Sequence, residues 1–147
     1  MRSWHVVLLS SLILTGCSKD ETDGITSTHV TMPSGKKVTV EIMRQTIELM
    51  KGMMFRDSLA EDHGMLFVHP KEDKIAYWMY ETRIPLDIIW MDRSHKIVEV
   101  SANTPPCKTE AAQCPKYGGT EVSAYVLELN GGAAAKYGLK VGDVLQY

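Results

Sequence analysis

Hydrophobic and polar positions alternate over several short stretches of this chain, with turn residues between them. Val38, Val40 and Ile42 are interleaved with Lys37, Thr39 and Glu41, the pattern of a strand with one face buried. The Pro33-Ser34-Gly35 turn signal separates that run from a β-like run over residues 29–32. A helix is predicted over residues 46–51, with Thr46 able to cap it, Glu48 in its first turn and Gly52 able to end it. Further strands are predicted at residues 64–68, 74–79, 86–91, 96–101 and 122–129. Pro70 and its charged neighbours close the first of these, and Asp92-Arg93-Ser94-His95 reads as a hairpin turn. Residues 102–120 read as a long irregular loop. Asn130 is placed to cap a short helix over residues 131–137, ended by Gly138, and residues 144–147 can close the sheet. These elements predict a mainly β fold, a β-sandwich, jelly roll or small barrel with one or two short helices, with α+β as the alternative.

The first segment follows a different pattern. Arg2 precedes an apolar run over residues 6–14, too short as a helix to cross a membrane, which needs about 20 residues. Leu14-Thr15-Gly16-Cys17 resembles the lipobox of bacterial lipoproteins. The resemblance implies a signal peptide over residues 1–16, cleavage before Cys17 and lipidation of that thiol. Ser18 then favours sorting to the periplasmic side of an outer membrane, where the cell has one. Residues 17–28 are polar and aperiodic and read as a flexible tether, which leaves residues 29–147 as one domain. The expected partner is therefore a membrane, reached through the lipid anchor.

Composition narrows the function classes. The 147 residues carry 16 basic and 18 acidic side chains, a formal charge of −2, so nothing marks the chain as a nucleic-acid binder. No catalytic or cofactor motif stands out. With Cys17 set aside for lipid, Cys107 and Cys114 remain as a pair, and outside the cytoplasm such a pair is expected to form a disulfide. Met50, Met53 and Met54 fall at i, i+3 and i+4 of a helical turn, with core-like Leu49 and Phe55 as neighbours. Methionine as core filler is the plainer reading, and a soft Cu(I) site is the alternative. His29, His63, His69 and His95 are scattered, with no pair at ligand spacing.

Motifs spread from about residue 38 to the end resemble the DUF192 family. They include Gly52-Met53-Met54-Phe55-Arg56, Gly64-Met65-Leu66-Phe67, Trp78-Met79, Thr82 and Ile84-Pro85-Leu86-Asp87-Ile88-Ile89. Tyr125-Val126-Leu127-Glu128-Leu129-Asn130 and the Gly142-Asp143 pair follow in order. Tyr80 and Glu81 depart from the family, which often has Lys and Asn there. The resemblance implies a compact, mostly β domain and no particular activity.

Two carboxylates sit inside apolar strands. Asp87 shares a strand face with Ile89 and Met91, and Glu128 shares one with Ala124 and Val126. A buried carboxylate needs a partner or an opening. One reading is an Arg–carboxylate link through Arg56 or Arg83 that holds the sheet. The other is a ligand pocket walled by Arg56, Trp78, Thr82, Asp87, Tyr125 and Glu128. The function expected is binding of a small ligand or an envelope partner by a membrane-anchored, extracytoplasmic domain. A small hydrolase using Asp87 and Glu128, or copper binding by methionine, is the alternative.

Overall fold

The computed structural model describes residues 26–147. Cys17 and the expected signal peptide lie outside the described residues, as does all but the end of the expected tether. Strand β1 (Ser27–Thr31) takes in the last two tether positions, Ser27 and Thr28, because they continue its pairing with β2 (Lys37–Met43). The other strands are β3 (His63–Trp78), β4 (Leu86–Met91), β5 (Ile97–Thr104) and β6 (Lys116–Asn130). They form one sheet in the order β1-β2-β3-β6-β4-β5, with β2 and β3 parallel and all other neighbours antiparallel. The fold is thus mainly β, as expected, but the sheet is not a closed barrel. The C-terminal segment touches both of its edges by single bridges, Thr31 with Gln146 and Lys96 with Val144.

Two predicted strands, 64–68 and 74–79, are one. β3 runs through Pro70 because its register with β6 breaks between Val68 and Asp73, and proline is tolerated at such an irregularity. The predicted loop over 102–120 shrinks from both ends, since β5 continues to Thr104 and β6 begins at Lys116. The long β3–β6 pair curls over one face of the sheet. There the Trp90 indole N–H donates to the Ile75 carbonyl at 2.7 Å. Gly118 (φ +67°) lies so close to the indole that a Cβ would stand 2.2 Å from it.

Both faces of the sheet are covered. One carries Val40, Leu66, Ile89, Met91, Leu127 and Leu129 under helix α2 (Ala133–Tyr137). The other carries Met65, Phe67, Ile88, Trp90 and Val126, joined by Met43, Met53 and Met79. β4 is buried at every position, the mark of a strand enclosed on both sides.

Helix α1 (Thr46–Lys51) has the predicted bounds but not the predicted cap. Gln45 is the N-cap, and Glu48 Oε2 accepts from the Gln45 and Arg44 N–H groups, each at 2.9 Å. Cys107 and Cys114 form a disulfide, as expected.

Candidate functional site

The register places the two strand carboxylates on opposite faces. Asp87 stands opposite Leu129, and Ile88 stands opposite Glu128. Asp87 is fully buried, and each of its oxygens is occupied by backbone. Oδ1 accepts from Asn103 N–H at 2.6 Å and Gly132 N–H at 3.0 Å, and Oδ2 from Ala134 N–H at 2.6 Å. It therefore caps α2 from a distant strand, the task expected of Asn130. Asn130 instead donates to the Leu59 carbonyl at 3.0 Å and the Ala60 carbonyl at 3.2 Å. Tyr125 also belongs to the α2 side, where its ring meets those of His95 and Tyr147. The six expected pocket residues thus do not share one wall. Nor can Asp87 and Glu128 act as acid and base on one bond, which removes the hydrolase reading.

Of the other four, Trp78, Thr82 and Glu128 line one small cavity, and Arg56 lines the wider opening next to it. Glu41 of β2, Met65 of β3 and Glu128 of β6 form one row across the sheet. Arg56 reaches into this row and holds Glu41 in a two-pronged ion pair, both contacts 2.6 Å. The pairing expected of Arg56 with a strand carboxylate is real, but the acid is Glu41, read from the sequence as the solvent side of an alternating strand. Arg83 pairs with Asp57 at the surface.

Glu128 has no such partner. It is 4% exposed, and its Oε2 is buried without a hydrogen bond. Burial pushes its carboxyl up to about 8, against the weaker pull of the Arg56 charge. It borders a cavity of about 40 Å3, together with Leu49, Gly52, Phe67, Tyr77, Trp78 and Thr82. Gly52 (φ +45°) ends α1 and lays bare backbone over this space. A Cβ there would stand 3.0 Å from the Phe67 ring and 4.0 Å from Glu128 Oε2. Tyr77 packs edge-on against Phe67 and Trp90, and its hydroxyl is 2.9 Å from His69 Nε2. Burial holds the Tyr77 phenol well above its usual range and keeps His69 neutral further into acid than an exposed imidazole.

Beyond Gly52 opens a wider depression of about 670 Å3. Met43, Ile47, Met54, Phe55 and Met65 give it apolar walls, and the Arg56–Glu41 pair lies in it. Ile47, Met50, Phe55 and Trp78 stand 67%, 68%, 53% and 39% exposed. Phe55, expected in the core, is on this rim because its backbone is in the left-handed region (φ +65°). That conformation is held by a hydrogen bond from Phe55 N–H to the carbonyl of Glu81, itself at φ +53°. Two non-glycine residues with positive φ, bonded to each other, are stored strain at the edge of the opening. Among the methionines of the expected soft-metal trio, only Met53 is core; Met50 is exposed and Met54 half-buried.

The fold and this site define a small, mainly β domain with an acid-floored cavity beside an apolar depression. The chain belongs to the DUF192 family, whose model, described as "Uncharacterized ACR", matches residues 28–147. Among solved structures it is similar to a Sinorhizobium meliloti 1021 protein described as "a putative transcription regulator". The two are 32% identical, with a TM-score of 0.73 over 83% of this chain and 94% of that one. It is also similar to a protein of unknown function from Novosphingobium aromaticivorans DSM 12444, again 32% identical. That likeness has a TM-score of 0.72 and covers 86% of this chain and 89% of the other. A comparison with curated proteins found no match.

Proposed function

We propose that this domain is a lipid-anchored, extracytoplasmic binding module that takes a small amphiphilic ligand in the depression between β2, α1 and residues 52–56. The depression carries the reading. It is large enough for a small molecule, apolar along Met43, Met54 and Met65, and charged at the Arg56–Glu41 pair. An apolar body would lie on the methionines, whose flexible thioethers adapt to varied shapes. A polar end would meet the guanidinium or carboxylate. The strained Phe55 backbone supports the same assignment, since it puts an aromatic ring on the rim at a cost in stability. Two features support the address: the charged, apolar, small-residue order ending at Cys17, and the Cys107–Cys114 bond, a chemistry that persists outside the cytoplasm.

The test is a titration with hexanoate and hexylamine, read on chain labelled at the methionine methyl carbons. Shifts at Met43, Met54 and Met65, with Met32 and Met91 unmoved, are expected. Saturation without those shifts, or no saturation by either probe at millimolar concentration, overturns the reading.

A further inference from the structure

Methionine is concentrated around this site. Met43, Met53, Met65 and Met79 fill the core beneath it, and packing accounts for them. Packing does not account for Met50, which is 68% exposed, or for half-buried Met54. Both nevertheless border the small cavity, and so does Met53. The local chain explains how three neighbours meet there. Met50 lies in the last turn of α1, Gly52 turns the backbone at φ +45°, and Met53 then enters the core beside Met54.

The fourth group on the cavity is Glu128, with a buried and unpartnered oxygen. Thioethers are soft, uncharged donors that suit a soft ion such as Cu(I) and hold hard cations poorly. The charges also fit a monovalent ion. Arg56 is neutralised by Glu41 at 2.6 Å and Lys51, which also borders the cavity, is exposed to solvent, so a Glu128 that gives up its proton as the ion enters leaves one negative charge facing it. A divalent ion would need more. Among the described residues no group of three His, Cys, Asp or Glu is placed to hold one.

We propose that the cavity between α1, Trp78 and Glu128 binds a soft monovalent cation, Cu(I) in chemical class, with Met50, Met53 and Met54 as thioether donors and Glu128 as the countercharge. The site shares Lys51, Gly52 and Met54 with the adjoining ligand depression but does not depend on that reading.

Ag(I) is the probe, because it shares this softness and needs no reductant, so the Cys107–Cys114 bond stays closed. The full chain carries Cys17→Ser to remove the cysteine outside that bond and is titrated with silver nitrate in chloride-free buffer. Calorimetry is expected to give one site per chain with a micromolar or tighter Kd. Methionine methyl spectra are expected to shift at Met50, Met53 and Met54 and not at Met32 or Met91. The volume-matched triple variant Met50→Leu, Met53→Leu, Met54→Leu is expected to bind at least 100-fold more weakly. Three results overturn the proposal: no saturable site at micromolar silver, methyl shifts confined to other methionines, or a folded triple variant that binds as tightly as its parent. Should the triple variant not fold, the parent's methyl spectra decide alone. Failure here leaves the hexanoate and hexylamine titration as it stands.

Discussion

Replacing Glu128 by Gln removes one proton-binding group from the sheet while keeping its shape, and the consequence is a change in how stability depends on pH. In the unfolded chain this carboxyl titrates near its ordinary value of 4.5, and burial moves it to about 8 in the folded protein. Below 4.5 both states hold the proton and the residue contributes no pH dependence. Between the two values the folded state is protonated and the unfolded state is not, so stability falls as pH rises. The slope from this one group is about 1.4 kcal/mol per pH unit, and the whole window is worth on the order of 5 kcal/mol. His69 acts in the opposite sense. Burial lowers its folded value from 6.5, so it adds stability as pH rises toward 6.5 and nothing beyond. The interval from 6.5 to 8 therefore isolates Glu128. Urea unfolding at half-unit steps from pH 5 to 9 is the assay, on the parent chain and on Glu128→Gln. The parent is expected to lose stability by about 2 kcal/mol between pH 6.5 and 8, and the variant to stay level. The variant's buried amide and the parent's protonated carboxyl both lack a partner, so the variant's level should lie near the parent's value at the acid end of the range. Parallel curves across that interval would refute the claim that the carboxyl is buried and unpaired.

Four further outcomes follow from the same structure. Asp87→Asn puts an amide where three backbone N–H groups donate, and should lower stability by about 2–4 kcal/mol while speeding hydrogen exchange at Gly132 and Ala134. Glu81→Asn places a residue tolerant of positive φ at +53° and should raise stability by about 0.5–1 kcal/mol, seen as a higher Tm in calorimetry. Gly118→Ala drives a methyl into the Trp90 indole and should cost more than about 2 kcal/mol, with a changed tryptophan fluorescence spectrum. Opening the Cys107–Cys114 bond with Cys107→Ser and Cys114→Ser should cost roughly 2.5 kcal/mol in urea unfolding, the chain-entropy value for so short a loop; an unchanged midpoint would argue against it.

What the sequence could say about this fold depended on whether the signal was local. Alternation named β2, and the apolar run with its flanking turns named β4. Gly52 and Gly138 marked the helix ends because a positive φ is a property of the residue itself. Cysteine parity predicted the disulfide. The sequence predicts two strands where β3 is one because Pro70 and the charges around it are local breakers, whereas the irregular register that absorbs them is a relation between β3 and β6. Asp87 as a cap for α2 was equally out of reach, since 45 residues separate it from Gly132.

The site shows the same division more sharply. Arg56, Trp78, Thr82 and Glu128 are legible as chemistry, and the structure brings the last three to one cavity with Arg56 in the opening beside it. The sequence pattern puts Asp87 and Tyr125 there too because each stands among apolar residues in a strand, but that pattern is blind to which face a strand presents. Face is set by register. Asp87 opposes Leu129, and a slip of one residue would have set it against Glu128 on the same side, making the acid pair the sequence suggested. Glu41 failed in the reverse sense. Its alternating strand marked it as solvent-facing, yet the same parity aligns it with Met65 and Glu128 and delivers it to Arg56. The β4–β6 offset thus decides that Asp87 is satisfied by backbone, while the row across β2, β3 and β6 delivers Glu41 to Arg56 and leaves Glu128 over. The group left over is the one that faces the small cavity, beside Met50, Met53 and Met54.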